Sequence, residues 1–197
     1  MSDFCGNWSD GKRIYSIEKI KETYSCSFSE KNIGITIGNY LISAQFDLNT
    51  ESGGIGVYAP IGNGKSYYAL YASLSTRDEL GSGIIIKRDK SNLFAGEYKV
   101  RYFKFADWES PVFNVNITQT DNINIYTGTW ATNGNIVYHG IFLAFNDKYA
   151  VAYGNPNDTF DIRVLTINIE NGKEVLYSRY VKGNSADICE RKLFRSF

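Results

Sequence analysis

Few side chains in this sequence have the type and spacing that catalysis or metal binding requires. His139 is the single histidine of the chain, and a histidine base needs a second group to orient its ring. Three cysteines, Cys5, Cys26 and Cys189, stand at spacings that match no zinc or redox motif. We therefore predict no metal site, no cofactor and three reduced thiols, and we interpret His139 as a packed imidazole.

Two further segments carry charged groups close to turn residues. Asp107 and Glu109 flank Trp108, and paired carboxylates can perform acid–base chemistry or bind Ca²⁺. Residues 59–66 (APIGNGKS) come close to a phosphate-binding loop. However, Ala59 replaces the first glycine of that motif, and aromatic residues follow in place of a helix. We interpret the first segment as a solvated turn and the second as a glycine-rich hairpin.

Near the C-terminus, Glu190 and Arg191 fall on opposite faces of a predicted strand. An arginine that points inward can hold a carboxylate or phosphate through two parallel hydrogen bonds. The same Arg191 could instead form a salt bridge or stack on Trp8. The sequence leaves both roles open.

The elements that would position these groups are short strands. Apolar and polar residues alternate with a period of two, as in residues 112–117, and turn signals such as Asn133-Gly134 and Asn171-Gly172 separate the runs. Aromatic residues make up 15% of the chain, which favours strands over helices. We predict an all-β fold in which an antiparallel meander closes into a single β-barrel of about ten strands.

The two halves of the chain are weakly similar. Gly6-x-Trp8 matches Gly96-x-Tyr98, and further aromatic and glycine positions align at offsets that drift along the chain. We interpret residues 1–197 as one barrel domain made of two pseudo-repeats, residues 1–92 and 93–197.

The Gly6-x-Trp8 motif and the aromatic meander that follows it resemble the calycin superfamily, which includes lipocalins, fatty-acid-binding proteins and avidins. In those families a Gly-x-Trp lies on the first strand, and its Trp closes one end of the barrel. The resemblance implies a barrel that holds a small molecule, and it implies a basic residue packed on Trp8, for which Arg191 is the candidate.

A set of aromatic residues recurs at same-face spacing on strands predicted to be adjacent. Aromatic side chains suit a pocket for an apolar or aromatic ligand, and they equally suit a filled core. We predict that the protein binds such a ligand in an aromatic-lined cavity. The predicted ligand-binding residues are Tyr24, Phe28, Tyr126, Trp130, Tyr138, Phe142, Tyr153 and Arg191.

Two other functions remain open from the sequence. The first is an isomerase or cyclase that acts on such a ligand in the same cavity, with Glu190, His139 or a tyrosine as the acid or base. The second is a surface-recognition protein that binds a protein or glycan partner through Trp108 and tyrosine-rich strands. Whether the protein is an enzyme, and how many copies associate, stays open.

Composition excludes other classes of protein. The 21 basic and 21 acidic residues balance, which argues against a nucleic-acid partner. No apolar run reaches the ~20 residues of a membrane-spanning helix. The chain starts with Met1-Ser2-Asp3-Phe4, which does not resemble a secretion signal, so we expect a cytoplasmic protein.

Overall fold

The computed structural model describes residues 3–27, 31–47, 49–50, 52–62, 65–88, 93–104, 108–109, 111–183, 185 and 187–196. Within these residues the chain forms seventeen strands and no helix, so no helix there is long and apolar enough to cross a membrane. The strands are β1 (Gly6–Ser9), β2 (Ile14–Ile20), β3 (Thr23–Cys26), β4 (Asn32–Ile37), β5 (Tyr40–Phe46), β6 (Gly53–Ile61), β7 (Ser66–Ser73), β8 (Thr76–Lys87), β9 (Gly96–Lys104), β10 (Trp108–Glu109), β11 (Phe113–Gln119), β12 (Ile125–Thr132), β13 (Asn135–Phe145), β14 (Lys148–Gly154), β15 (Phe160–Glu170), β16 (Lys173–Val181) and β17 (Ile188–Ser196).

The strands build two closed antiparallel barrels of eight strands each. The first barrel has the order β1-β17-β16-β15-β5-β4-β3-β2, and β1 closes it on β2. The second has the order β9-β11-β12-β13-β14-β6-β7-β8, and β8 closes it on β9, while the short β10 adds to β9. The all-β, antiparallel class is confirmed. The prediction of a single barrel of about ten strands is wrong.

Strands that are apolar on both faces explain why the chain forms two barrels that pack on each other. On β13, Phe142 lies inside the second barrel, whereas Ile141 and Leu143 belong to a core shared with the first barrel. From the first barrel, β5 supplies Ile42 and Ala44 to the same shared core. A strand of this kind has one face in a barrel interior and the other in the contact between barrels. The described residues therefore form three hydrophobic clusters, one inside each barrel and one between them.

Each barrel takes strands from both halves of the chain. Residues 1–92 contribute β1–β5 to the first barrel and β6–β8 to the second. Residues 93–197 contribute β9–β14 to the second barrel and β15–β17 to the first. The predicted boundary thus falls between β8 and β9, which pair with each other. That the two halves are related copies stays a prediction.

The two segments that cross between the barrels lie side by side. Asp47, after β5, donates its amide to the carbonyl of Thr159, before β15, at 3.0 Å. The Asp47 carboxylate accepts in return from the amide and hydroxyl of Thr159 at 2.8 and 3.0 Å. It also accepts from the Thr50 hydroxyl at 2.8 Å. These hydrogen bonds hold the pKa of Asp47 down at about 2.

Candidate functional site

Five of the eight predicted ligand-binding residues meet inside the second barrel. Tyr126 and Trp130 on β12 and Phe142 on β13 are buried there. Tyr138 and Tyr153 are half-buried and pack against the same cluster, with their ring centroids 5.6 Å apart. The sequence pattern therefore grouped these five side chains correctly.

The rings inside the second barrel pack on one another. Phe94, just before β9, stacks on Tyr149 with centroids 3.4 Å apart, and it meets Tyr126 and Phe142 edge to face. Trp130 stacks on Phe142 at 5.7 Å. These contacts are those of a filled core. A ligand among these rings stays a prediction, because it would have to displace at least one of them.

Two glycines show how closely this core is packed. A Cβ atom placed on Gly128 would lie 2.7 Å from the Phe142 ring, and one on Gly140 would lie 2.8 Å from the Trp130 ring. Neither glycine has a positive φ, so the close approach of the rings is the reason that both positions hold glycine.

Tyrosine hydroxyls in this core keep their protons. Burial raises the pKa of Tyr67, Tyr126 and Tyr149 above the ordinary phenol value. The phenols therefore stay neutral at physiological pH.

The other three predicted residues do not join this cluster. Tyr24 on β3 packs against the interior of the first barrel, and Arg191 lies on β17 of the same barrel. Phe28 lies outside the described residues. The eight-residue set is thus divided between two barrels.

A cation closes one end of the first barrel over Trp8. The Arg195 guanidinium carbon lies 4.1 Å from the centre of the Trp8 ring, and the two residues are directly paired between β17 and β1. Arg195 donates to the carbonyl of Asp3 at 2.7 Å and also to that of Cys5. The Trp8 indole donates to the Phe4 carbonyl at 2.9 Å. The residue that stacks on Trp8 is therefore Arg195 and not Arg191.

The second barrel carries a similar closure. Lys87 on β8 pairs with Tyr98 on β9, and its ammonium lies 5.5 Å from the centre of the Tyr98 ring. Lys87 donates to the carbonyls of Leu93 and Ala95, and the Tyr98 hydroxyl donates to the carbonyl of Phe94. In both barrels a cation on the strand paired with the Gly-x-aromatic strand lies over the ring of that motif and binds the segment before it.

Further along the interior face of the first barrel, charged side chains converge. Arg163 on β15 is only 6% exposed, and its guanidinium carbon lies 4.5 Å from the centre of the Tyr180 ring. Arg191, on β17, lies 5.7 Å from the same ring and donates to the Tyr15 hydroxyl at 3.2 Å. Arg163 also donates to the side-chain carbonyl of Gln45 at 3.0 Å. We call this group, with Asp161 and the cavity it lines, the arginine site.

Two carboxylates face these arginines. Asp161 lies 3.7 Å from Arg163, and Asp10 lies 3.7 Å from Arg191. Both distances exceed the 2.7–2.9 Å typical of a charge-assisted hydrogen bond. The Asp10 carboxylate accepts instead from the backbone amides of Lys12 and Arg13, which are the main cause of its lowered pKa.

The arginine site lines a cavity of about 210 Å³, bounded by Arg13, Tyr15, Gln45, Asp161, Arg163, Lys182 and Arg191. Burial lowers the pKa of Arg163, and Arg191 acts in the same direction because it repels a second positive charge. Two buried polar atoms nearby, the amide nitrogen of Gln45 and the hydroxyl of Ser178, have no hydrogen-bond partner among the described residues. A buried polar group without a partner destabilises the protein unless water or a ligand satisfies it.

Arg163 was missed in the sequence analysis. The signal was present, since Asp161 and Arg163 alternate with Ile162 and Val164 along the first half of β15, where the other residues are apolar. Charged residues on one face of such a strand point into a barrel or a cleft.

The remaining residues that were considered for catalysis or metal binding lie elsewhere. His139 is half-buried on the outer face of the second barrel, in a groove of about 380 Å³. Its ring nitrogen donates to the Asp158 carbonyl at 3.1 Å. Asp107 lies outside the described residues. Cys5, Cys26 and Cys189 are free thiols. Within the described ranges, no three His, Cys, Asp or Glu side chains come together to hold a metal.

Comparison with protein families, curated proteins and solved structures finds no match to this chain.

Proposed function

We propose that the protein binds a small molecule in its first barrel, with an acidic group of the ligand at the arginine site. The observation that carries this proposal is the buried Arg163, which lies near a second arginine, Arg191, in a cavity whose described lining includes four cationic side chains and one carboxylate. Keeping such a charge away from water is unfavourable. A negatively charged ligand group in this cavity would accept charge-assisted hydrogen bonds from the arginines.

The size and lining of the cavity define the ligand further. About 210 Å³ is below the usual range for drug-sized ligands, so the ligand is small. Tyr15 and Tyr180 contribute ring surface beside the arginines. A compact organic acid with an apolar or aromatic body matches both features.

The closure over Trp8 also supports this class of function. In calycins, which the sequence resembles, a basic residue packs on the Trp of the first strand, and Arg195 makes that contact here. The proposal extends the resemblance to a ligand-holding barrel.

The residues considered for an isomerase or cyclase support catalysis less well than binding. Glu190 is 76% exposed at its side chain, His139 lines a groove outside both barrels, and the buried phenols have raised pKa values. Trp108, the anchor considered for surface recognition, has no described side-chain position. No specific observation favours either alternative.

The test compares an acid with its neutral analogue. We expect benzoate to bind in isothermal titration calorimetry, and benzamide to bind at least about tenfold more weakly. Arg163→Gln is expected to weaken benzoate binding about tenfold to hundredfold, because each hydrogen bond to a charged group contributes roughly 1.5–3 kcal/mol.

Two further variants control this experiment. Arg191 is more exposed than Arg163, so Arg191→Gln disturbs the fold less. We expect Arg191→Gln to weaken benzoate binding as well, which keeps the test valid if Arg163→Gln folds poorly. Arg88→Gln, at an exposed arginine paired with Glu97, removes the same charge elsewhere and leaves binding unchanged. Equal binding of benzoate and benzamide, or full benzoate affinity in both arginine-site variants, would contradict the proposal.

A further inference from the structure

We infer that a groove on the outer face of the first barrel binds a neutral carbohydrate chain. The groove crosses strands β5, β15, β16 and β17 and has a volume of about 390 Å³, which falls in the usual range for small-molecule sites. It lies away from Trp108, which is on β10 of the second barrel. We call it the outer groove, and the inference does not depend on a ligand at the arginine site.

A row of paired residues forms the floor of the outer groove. Tyr40 on β5 pairs with Thr166 on β15, and Thr166 pairs with Tyr177 on β16. Tyr177 pairs in turn with Lys192 on β17. Leu165, next to Thr166, belongs to the interior cluster of the first barrel, so the row itself faces outward. Two strand spacings separate the tyrosines, which places them about 10 Å apart along the row.

Both tyrosine rings of the row are held in place by their neighbours. The Tyr40 ring meets the Phe145 ring edge to face at 5.2 Å, and its hydroxyl accepts from the Asn146 amide at 2.6 Å. The Lys192 ammonium lies 4.8 Å from the centre of the Tyr177 ring. Both tyrosines are half-buried. A ring fixed in this way offers apolar surface at little cost in conformational freedom, and the C–H face of a sugar ring can pack on it.

Polar side chains of several kinds surround these two rings. The lining includes an amide from Asn146 and another from Asn168, the Thr166 hydroxyl, the Arg179 guanidinium and the Glu190 carboxylate. A sugar hydroxyl both donates and accepts hydrogen bonds, as the hydroxyls of serine and threonine do. Donors and acceptors beside an aromatic surface therefore match a ligand that carries many hydroxyl groups.

The cations at the outer groove lie beside carboxylates. Lys192 lies 2.8 Å from Glu170, and Arg179 lies 3.8 Å from Glu190. Arg191, which also borders the groove, is engaged at the arginine site. Since these cations already have acidic neighbours, the groove favours a ligand without net charge.

The experiment uses isothermal titration calorimetry with three tetrasaccharides and glucose. Cellotetraose and maltotetraose are neutral, and tetragalacturonate is anionic. We expect one of the two neutral chains to bind with a Kd of about 1 mM or below. Glucose reaches only one tyrosine ring, and tetragalacturonate brings charges that the groove does not require. Both should therefore bind at least about fivefold more weakly than that neutral chain.

Two variants of the groove test the assignment of the site. Tyr177→Ala removes one ring of the row and should weaken binding of the neutral chain at least about fivefold. Asn168→Ala, at an exposed residue, should weaken it in the same direction and preserves the test if Tyr177→Ala folds poorly. The matched control is Tyr68→Ala, which removes a tyrosine that is 47% exposed on the second barrel and should leave binding unchanged. Circular dichroism verifies that the variants are folded.

The outcomes separate this inference from the proposed function. Binding of neither neutral chain overturns the outer groove as a carbohydrate site, and so does full affinity in both Tyr177→Ala and Asn168→Ala. Equal affinity for tetragalacturonate overturns the preference for a neutral ligand. Benzoate affinity is measured on the same variants, and we expect it to be that of the wild type, because neither residue lines the arginine site. A failure of carbohydrate binding with benzoate binding intact therefore overturns this inference alone.

Discussion

Replacing Gly140 by alanine tests whether the second barrel is filled. The added Cβ would lie 2.8 Å from Cζ3 of Trp130, 2.9 Å from its Cη2 and 2.9 Å from the carbonyl oxygen of Ala152. All three distances are too short for carbon or oxygen atoms in contact, so the Trp130 ring or the β14 backbone must move. Trp130 is held in turn by stacking on Phe142.

The expected cost follows from two opposing effects. Overpacking a closely packed core costs about 1–3 kcal/mol. Alanine also restricts the unfolded chain, which offsets the loss by about 0.4–1 kcal/mol, since φ at Gly140 is not positive. We expect Gly140→Ala to lower the free energy of unfolding by about 1–2 kcal/mol.

The assay is urea unfolding followed by both circular dichroism and intrinsic fluorescence. The control variant is Thr127→Ala, an exposed outward residue on the neighbouring strand β12, whose effect should stay within about 0.5 kcal/mol. If Gly140→Ala is as stable as the wild type, the Trp130 ring has empty space to move into. The interior would then be a cavity, and the description of a filled core would be refuted.

Three further predictions address other parts of the molecule. Arg195→Gln removes the cation stacked on Trp8 and should destabilise the protein by about 1–3 kcal/mol, measured by urea unfolding; a change below about 0.5 kcal/mol would show that the closure carries no stability. The pKa of Asp47 is lowered to about 2 in the folded chain, so its stabilising effect is present above its ordinary value near 3.8 and is lost as pH falls towards 2. The stability difference between wild type and Asp47→Asn should therefore shrink over that window in acid titrations, and a constant difference would contradict this account. Burial raises the pKa of the Cys26 thiol to about 12, so Ellman's reagent should leave it unmodified in the native protein and modify it in urea; rapid native labelling of Cys26 would contradict its burial.

Local features of the fold were predictable because they depend on neighbours in the sequence. Asn133-Gly134 and Asn171-Gly172 form the tight turns between β12 and β13 and between β15 and β16, with positive φ at all four residues. Alternation along Phe113–Gln119 correctly predicted a strand with one buried face.

The number of barrels was not predictable from the same patterns. A strand such as β13 is apolar on both faces whether its second face lines a cavity or packs against another sheet. The arrangement depends on packing between residues far apart in the chain, such as Ile42, Ala44, Ile55 and Leu143, which belong to one shared core. Periodicity carries no information about these distant partners.

The candidate site was predictable only in part for the same reason. Arg191 was identified from its place on a strand as a residue that could bind an anion. Its neighbour Arg163 is 28 residues away in the sequence, and only the pairing of β15 with β16 and of β16 with β17 brings the two to one ring, Tyr180. Five residues of the aromatic set share the interior of the second barrel, but Phe94 fills the space between those rings from a segment that follows no strand pattern.

The exchange of strands between the two halves has a consequence for synthesis and turnover. When the first 92 residues have left the ribosome, β1–β5 still lack β15–β17, and β6–β8 lack β9 and β14. Both incomplete sheets then expose unpaired edges, which promote aggregation. A single cleavage between β8 and β9 releases neither barrel intact, because each barrel has strands on both sides of that point.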